Sequence, residues 1–184
     1  FDEKLHIIHF DAHTDYAPFE HDLMHTNSQA FRHIAGFANM LSLTQVGIRS
    51  LRHSADQVED VIISGNRVIN MGEFRRLGPA GIAELLPKGS RVYVSIDVDA
   101  LDMSLVPGCV SAEPNGMTYP ELRDSLKAIA ERHDIAGFDF VEVNPPLDVG
   151  TGVTAYIGAL TVIEFLGHIC AQPHWKTRRL ARAA

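Results

Sequence analysis

Residues 91–102 read RVYVSIDVDALD, and the rest of the chain is organised around that stretch. Residues 91–98 form an apolar run rich in β-branched side chains, the pattern of a strand buried on both faces, and it leads into two aspartates, Asp97 and Asp99. Working outward, Leu5–Phe10 (LHIIHF) is a second run of this kind, and it opens directly onto Asp11-Ala12-His13-Thr14-Asp15. Residues 135–143 (IAGFDFVEV) make a third, which carries Glu142 and is followed by Asn144-Pro145-Pro146. Shorter runs at 43–48 and 67–71 complete five predicted strands.

Helical periodicity fills the intervals. Residues 27–41 place Phe31, Ile34, Phe37 and Leu41 on one face, with Asn27 or Ser28 as the cap. Weaker helices are expected over residues 55–64 and near 79–86. The clearest helix spans residues 118–133: Thr118 caps it, Pro120 and Glu121 fill its first turn, and Leu122, Leu126, Ile129 and Ala130 form its stripe. A long helix is expected over residues 152–170. Strands alternating with helices predict an α/β domain of three layers, α/β/α, around a parallel sheet.

Composition agrees. The 184 residues are 46% hydrophobic and 21% charged, with mean hydropathy near zero, which describes one ordinary globular domain. We place it at residues 1–175, followed by a basic tail, 176–184 (KTRRLARAA). A net charge of −7 and a pI near 5.8 argue against nucleic acid and anionic membrane as partners and suit metal ions or a cationic small molecule. The uncharged run at residues 149–163 falls short of the ~18 residues that span a bilayer. Cys109 and Cys170 have no metal-ligand spacing, so a reducing cytoplasm is expected.

In an open α/β sheet, ligands gather at the carboxyl ends of the strands. If residues 11–15 stay extended, period-two alternation puts Asp11, His13 and Asp15 on one face, and it does the same for Asp97 and Asp99. Taken singly, a DxD at a strand end is most often a loop cap or a single Mg²⁺ contact, and a DxHxD is the stronger of the two signals. Together they converge four carboxylates and a histidine at one sheet edge, where like charges about 4 Å apart repel by a few kcal/mol unless cations intervene. Hard oxygen donors with one imidazole suit Mn²⁺ or Mg²⁺, and carboxylates able to bridge suit a pair of ions. Glu142 at the end of a buried strand needs a cationic partner. The other histidines, His6, His9, His21, His33, His53, His133, His168 and His174, are read as structural or surface positions. A Mg²⁺ phosphohydrolase is disfavoured, because Arg49 and Arg52 are the only basic residues near a would-be phosphate cradle.

FDAHTD (residues 10–15), SIDVDALD (95–102) and VEVNPPLD (141–148) resemble three signature stretches of the ureohydrolase family, which includes arginases and agmatinases. QVGIRS (45–50) and VPGCVSAEPNGMT (106–118) are also similar to family segments. The resemblance implies an arginase-like fold and a dinuclear manganese hydrolase of guanidinium compounds. It implies that Asp11 and Asp97 bridge both Mn²⁺ ions, that Asp15 completes one shell, and that His13 and Asp99 bind the other ion. A water bridging the ions becomes the hydroxide that attacks the guanidinium carbon, Glu142 holds the guanidinium, and Asp15 passes a proton to the leaving amine. His25, ten residues after Asp15, matches a mobile-loop histidine expected to relay protons.

That ten-residue interval is similar to the agmatinase branch. With Glu20 and Asp22 in the loop and no basic residue besides His21, agmatine is the expected substrate, giving putrescine and urea. Guanidinobutyrate, guanidinopropionate and formimidoyl amino acids are the alternatives, and Arg or Lys lining the pocket opposite the metals would favour them. A non-catalytic assembly subunit is a further alternative. Trimers or hexamers are usual in the family, so a homo-oligomer is expected. The chain departs from the family pattern at Thr26 and Asn27 after the loop histidine, at Met103 after Asp102, and in lacking the Gly-Gly-Asp-His motif whose histidine is the sixth ligand. His6 and His9 are not expected to replace it, His9 lying about 6.6 Å down the strand from Asp11. Since the chain also lacks an initiator Met, we expect a fragment without the family's N-terminal third.

Overall fold

The computed structural model describes residues 3–20, 24–52 and 54–175. His21, Asp22, His53 and the basic tail lie outside the described residues. The five strands β1 (Leu5–Phe10), β2 (Met40–Ile48), β3 (Arg67–Asn70), β4 (Arg91–Asp97) and β5 (Asp134–Val141) form one sheet in the order β3-β2-β1-β4-β5, and every neighbouring pair is parallel. β1 is central, so the two motif-bearing strands, β1 and β4, are neighbours and end side by side. Topology alone therefore delivers both acidic motifs to one edge.

The helices are α1 (Ala30–Ala35), α2 (Ala55–Ile63), α3 (Met71–Glu84), α4 (Tyr119–Arg132) and α5 (Val153–Cys170). Alternation along the strands sorts the core into two. Ile8, Phe10, Val46, Val92, Val94 and Ile96 face a large cluster built with α3, α4 and α5 through Phe74, Ile82, Leu122, Ile129 and Phe165. Ile7 and Leu43 face a smaller cluster with Phe31 of α1 and Val61 of α2. Burying one such aliphatic or aromatic side chain contributes roughly 1.5–3 kcal/mol, so the larger cluster dominates stability.

Several boundaries move from their expected places. The helix expected over residues 27–41 is one 3-10 turn plus α1. It stops at Gly36, whose N–H bonds back to His33, and the chain then enters β2, leaving Phe37 and Leu41 exposed. The helix expected near 79–86 starts at Met71, where the Asn70 side chain accepts from Glu73 N–H. Gly78, at φ 68°, breaks it just before Pro79, so the proline opens the second half of α3. α4 has the expected cap: Thr118 and Glu121 bond reciprocally, an arrangement worth about 1 kcal/mol.

α5 also revises a membrane argument. Counted across Glu164 it is 18 residues long with mean hydropathy 1.6, so by length and composition it could cross a bilayer, and 28% of it is buried in this chain. Its buried positions, Thr154, Gly158, Thr161, Phe165 and Ile169, recur at helical spacing toward the sheet, and Glu164 accepts from Tyr119 Oη. Those contacts make α5 a covering helix of the sheet.

Candidate metal centre and substrate cavity

Strand alternation does not assemble the acidic cluster; turns do. β1 ends at Phe10, and Asp15 sits at φ 45°, so its carboxylate is aimed by a left-handed turn that a non-glycine residue rarely adopts. β4 ends at Asp97, which caps the 3-10 turn Val98–Ala100 by accepting from Asp99 N–H at 2.9 Å. Asp99 then reaches across to the neighbouring strand end, taking Ala12 N–H on Oδ1 at 3.0 Å and Ser111 Oγ–H on Oδ2 at 3.0 Å. Asp11 Oδ1 accepts from His13 N–H at 2.6 Å. His13 Nδ1 lies 3.0 Å from Asp99 Oδ2 and 3.4 Å from Asp11 Oδ1.

Gly47 makes this closeness possible. At φ 104° it bulges β2 against the chain that follows β1, and a Cβ there would stand 2.9 Å from the Asp11 carbonyl oxygen. Only glycine fits both the torsion and the space.

The charges are frustrated in a consistent direction. Burial, reinforced by Asp11 and Asp99, pushes the Asp97 carboxyl up to about 10. Burial with Asp11 beside it raises Asp15 to about 7. Asp99 is raised by burial as well. Burial opposes charge on Asp11 too, but the neighbouring His9 and His13 rings outweigh it and hold that carboxyl well below the usual range. For His13, burial is overcome by the Asp11 and Asp99 carboxylates, which lift it to about 10. Left to itself, the cluster stays neutral enough to fold only by retaining protons.

A pair of cations fits this donor set. Asp11 belongs to two groups whose candidate ligand atoms lie within 4.8 Å of one another, one with Asp15 and the His9 ring, which supports Asp11 and is not counted as a ligand, the other with His13 and Asp99. Asp11 Oδ2 and His13 Nε2 are buried without a well-aligned hydrogen bond. A third group joins Asp97 and Asp99 to Cys109, which spacing along the chain did not suggest. Burial pushes the Cys109 thiol up to about 11, so it stays protonated and is a poor ligand beside hard carboxylates.

His9, read from the sequence as structural or surface, is buried and has its Nε2 2.8 Å from Asp11 Oδ2. The side chain spans the distance that the strand rise alone suggested. Its polarity is set from behind. Thr14 C=O can only accept, so the Gln45 atom 2.5 Å away is the amide nitrogen, and that nitrogen also faces His9 Nδ1 at 3.1 Å. Nδ1 therefore offers its lone pair, Nε2 carries the proton, and His9 supports Asp11 as a proton-bearing neighbour, with Phe31 stacked 3.6 Å from its ring.

Above the cluster is a cavity of about 300 Å³. His13, Asp15, Asp97, Ser111 and Glu142 line its floor, and Asn27, Ser28, Arg52 and Gln57 line its rim. Glu142 is half-buried at φ 63°, lines the cavity and has no hydrogen-bond or ion-pair partner among the described residues. His25 is not brought to the cavity. It is exposed and stacks on His33 with 5.2 Å between centroids, because His33 is held at that place by Phe19 and by the Met24 carbonyl.

Ser111, Glu113 and the rim were missed in the sequence. They come from loops, a 3-10 turn and the start of α2, and the usable signal was positional: the chain after β2 must fall beside the loop after β1. Arg49, just after β2, is a clip, donating to the carbonyls of Gly47, Asp99, Leu101, Glu113 and Pro114.

Residues 1–167 match the sequence profile of the arginase family. The chain is 36% identical over 174 residues to a guanidinopropionase of Pseudomonas aeruginosa, covering 90% of this chain and 53% of that protein. It is 38% identical over 162 residues to a mitochondrial arginase of Medicago truncatula, covering 86% and 46%. The solved formimidoylglutamase of Bacillus subtilis superposes with a TM-score of 0.82 at 30% identity, over 92% of this chain and 54% of that one. The chain spans about half the length of the curated relatives it matches.

Proposed function

The chain belongs to the arginase family, and from that premise we propose that its cavity hydrolyses the C–N bond of a small guanidino or amidino compound with the help of two Mn²⁺ ions. One observation carries the reading: Glu142, held at φ 63° without a protein partner among the described residues, shares the cavity with Asp15, Asp97 and His13.

A planar amidinium matches the Glu142 carboxylate through two parallel N–H···O bonds, and that pairing sets the electrophilic carbon over the floor. Asp11, His13, Asp15, Asp97 and Asp99 would hold the cations, which when bound make a water acidic enough to serve as nucleophile near neutral pH. Asp15 lines the same cavity, which puts its carboxylate within reach of the nucleophile's proton and of the departing amine. The proton it carries leaves on the departing amine as the C–N bond breaks, and urea remains when the substrate is a guanidine. The amidine carbon is common to agmatine, to guanidino acids and to formimidoyl amino acids, so the floor serves all three. Agmatine was the expectation from Glu20 and Asp22; Glu20 does not line the cavity, and Asp22 lies outside the described residues.

The test is release of urea from the guanidines, or of formamide from the formimidoyl compounds, by the manganese-loaded chain across a panel of these compounds. We expect turnover in the unmodified protein, and in Glu142→Gln full metal content with turnover reduced about a hundredfold or more. Absence of turnover with every compound, or normal turnover in Glu142→Gln, overturns the reading.

A further inference from the structure

The exposed rim of the cavity carries a charge opposite to that of its acidic floor. Apart from His13, Arg52 is the one basic side chain lining the cavity among the described residues, and the acids that line it, Asp15, Asp97 and Glu142, already have work at the reacting end. Arg52 differs from its neighbour Arg49 in what is left free. Five backbone carbonyls consume the Arg49 guanidinium. Arg52 is tied only through Nε, 3.3 Å from Glu113 Oε1, and through its backbone N–H, which donates to Ser50 Oγ at 3.0 Å.

Those ties aim the side chain. Ser50 Oγ donates to the same Glu113 oxygen at 2.8 Å, and that oxygen is 3.8 Å from His13 Nε2. Glu113 thus tethers Arg52 to the edge of the metal cluster, while the side chain itself remains 60% exposed at the rim. Its two terminal nitrogens have no hydrogen-bond or ion-pair partner among the described residues, which leaves a planar pair of donors free on a side chain that lines the cavity. Asn27, Ser28 and Gln57 beside it are neutral and offer no countercharge to a second ammonium.

We propose that the cavity selects guanidines and amidines whose far end is a carboxylate, with the terminal nitrogens of Arg52 as the carboxylate fork. The inference rests on the hydrolase reading above and adds the chemistry of the substrate's tail. A guanidino acid presents its cation to Glu142 and its anion to Arg52. A diamine-derived guanidine such as agmatine presents a second cation to Arg52 and is repelled. Arginine suits this fork better than lysine because its geometry matches both carboxylate oxygens at once.

The matched pair for the test is 4-guanidinobutanoate and agmatine, which are close in length and opposite in terminal charge. Steady-state kinetics on the manganese-loaded full chain are expected to favour the acid by about tenfold or more in kcat/KM, a difference of ~1.4 kcal/mol. Arg52→Ala should raise KM for the acid about tenfold and leave its kcat within about twofold, because the fork binds a part of the substrate remote from the bond that breaks. Arg52→Lys should restore part of the loss, and Arg52→Glu should reverse the preference between the two compounds. Preference for agmatine in the unmodified protein overturns the inference and leaves the hydrolase reading intact. So does an Arg52→Ala variant that loses kcat equally on both substrates with their KM ratio unchanged. Absence of turnover on both compounds, and on every other guanidine or amidine, overturns the hydrolase reading and this inference with it.

Discussion

The floor and the rim of the cavity are built by opposite rules. The metal-binding part of the floor stands at the ends of β1 and β4, adjacent strands in the middle of the sheet, where Asp11, Asp97 and Asp99 each accept a backbone N–H. The rim stands outside the sheet, on the 3-10 turn at Asn27 and Ser28, the loop at Arg52 and the first turn of α2 at Gln57, and its residues are exposed or half-buried. A rigid floor suits chemistry common to a whole family, because distances between charges must be held closely. A rim free of the sheet can change the tail of the substrate without disturbing the reacting end. The two regions should therefore fail in different ways when altered.

The largest effect belongs to the floor. Asp97→Asn keeps an acceptor for Asp99 N–H and removes one carboxylate from the cluster. Metal affinity should fall by about a hundredfold or more, while the metal-free protein melts at about the same temperature, since the Asp97 carboxyl, pushed up to about 10, is already uncharged there at neutral pH. Equilibrium dialysis with metal analysis, beside thermal melts, checks both halves. Gly47→Ala comes next. The strained torsion and the contact with the Asp11 carbonyl predict a loss of about 1–3 kcal/mol in denaturant unfolding, with weaker metal binding because Asp11 is displaced. An alanine variant as stable as the parent would show that β2 does not set the position of Asp11.

A pH effect follows in size. The metal-free floor keeps protons at neutral pH: His13 and Asp97 titrate near 10 and Asp15 near 7. A cation displaces them, so apparent affinity should rise as pH rises from 6 to 9, with about one proton or more released per chain near pH 7. Calorimetry in buffers of different ionisation enthalpy reads that number directly, and zero release would mean that the floor is already ionised. The smallest effect belongs to the rim. Gln57→Ala should change KM for substrate by about threefold or less and leave metal affinity untouched. A loss of metal in that variant would erase the distinction between floor and rim.

The same contrast explains what could be read from the sequence. The parallel sheet and the positions of Asp11, His13, Asp15, Asp97, Asp99 and Glu142 were legible because buried strands are near-continuous apolar runs and strand ends in such sheets face one way. The mechanism of convergence was not legible. Asp15 and Asp99 arrive through a left-handed turn and a 3-10 turn, which period-two reasoning cannot represent. α3 was misplaced because Gly78-Pro79 resembles a helix start, when Asn70 is the cap that begins it. His9 was passed over because its partner Gln45 lies 36 residues away and only strand pairing brings them together. Arg52 was visible, yet loops carry no periodicity, and only the neighbouring order of β1 and β2 puts it over the floor.

The central claim is that two cations sit on this floor with Asp11 common to both. Low-temperature electron paramagnetic resonance of the chain titrated with Mn²⁺ tests it most directly, because ions sharing a carboxylate couple their spins. We predict a spin-coupled spectrum at saturation with two Mn²⁺ per chain. A six-line spectrum of isolated Mn²⁺ at every loading, or saturation below one ion per chain, would contradict the account.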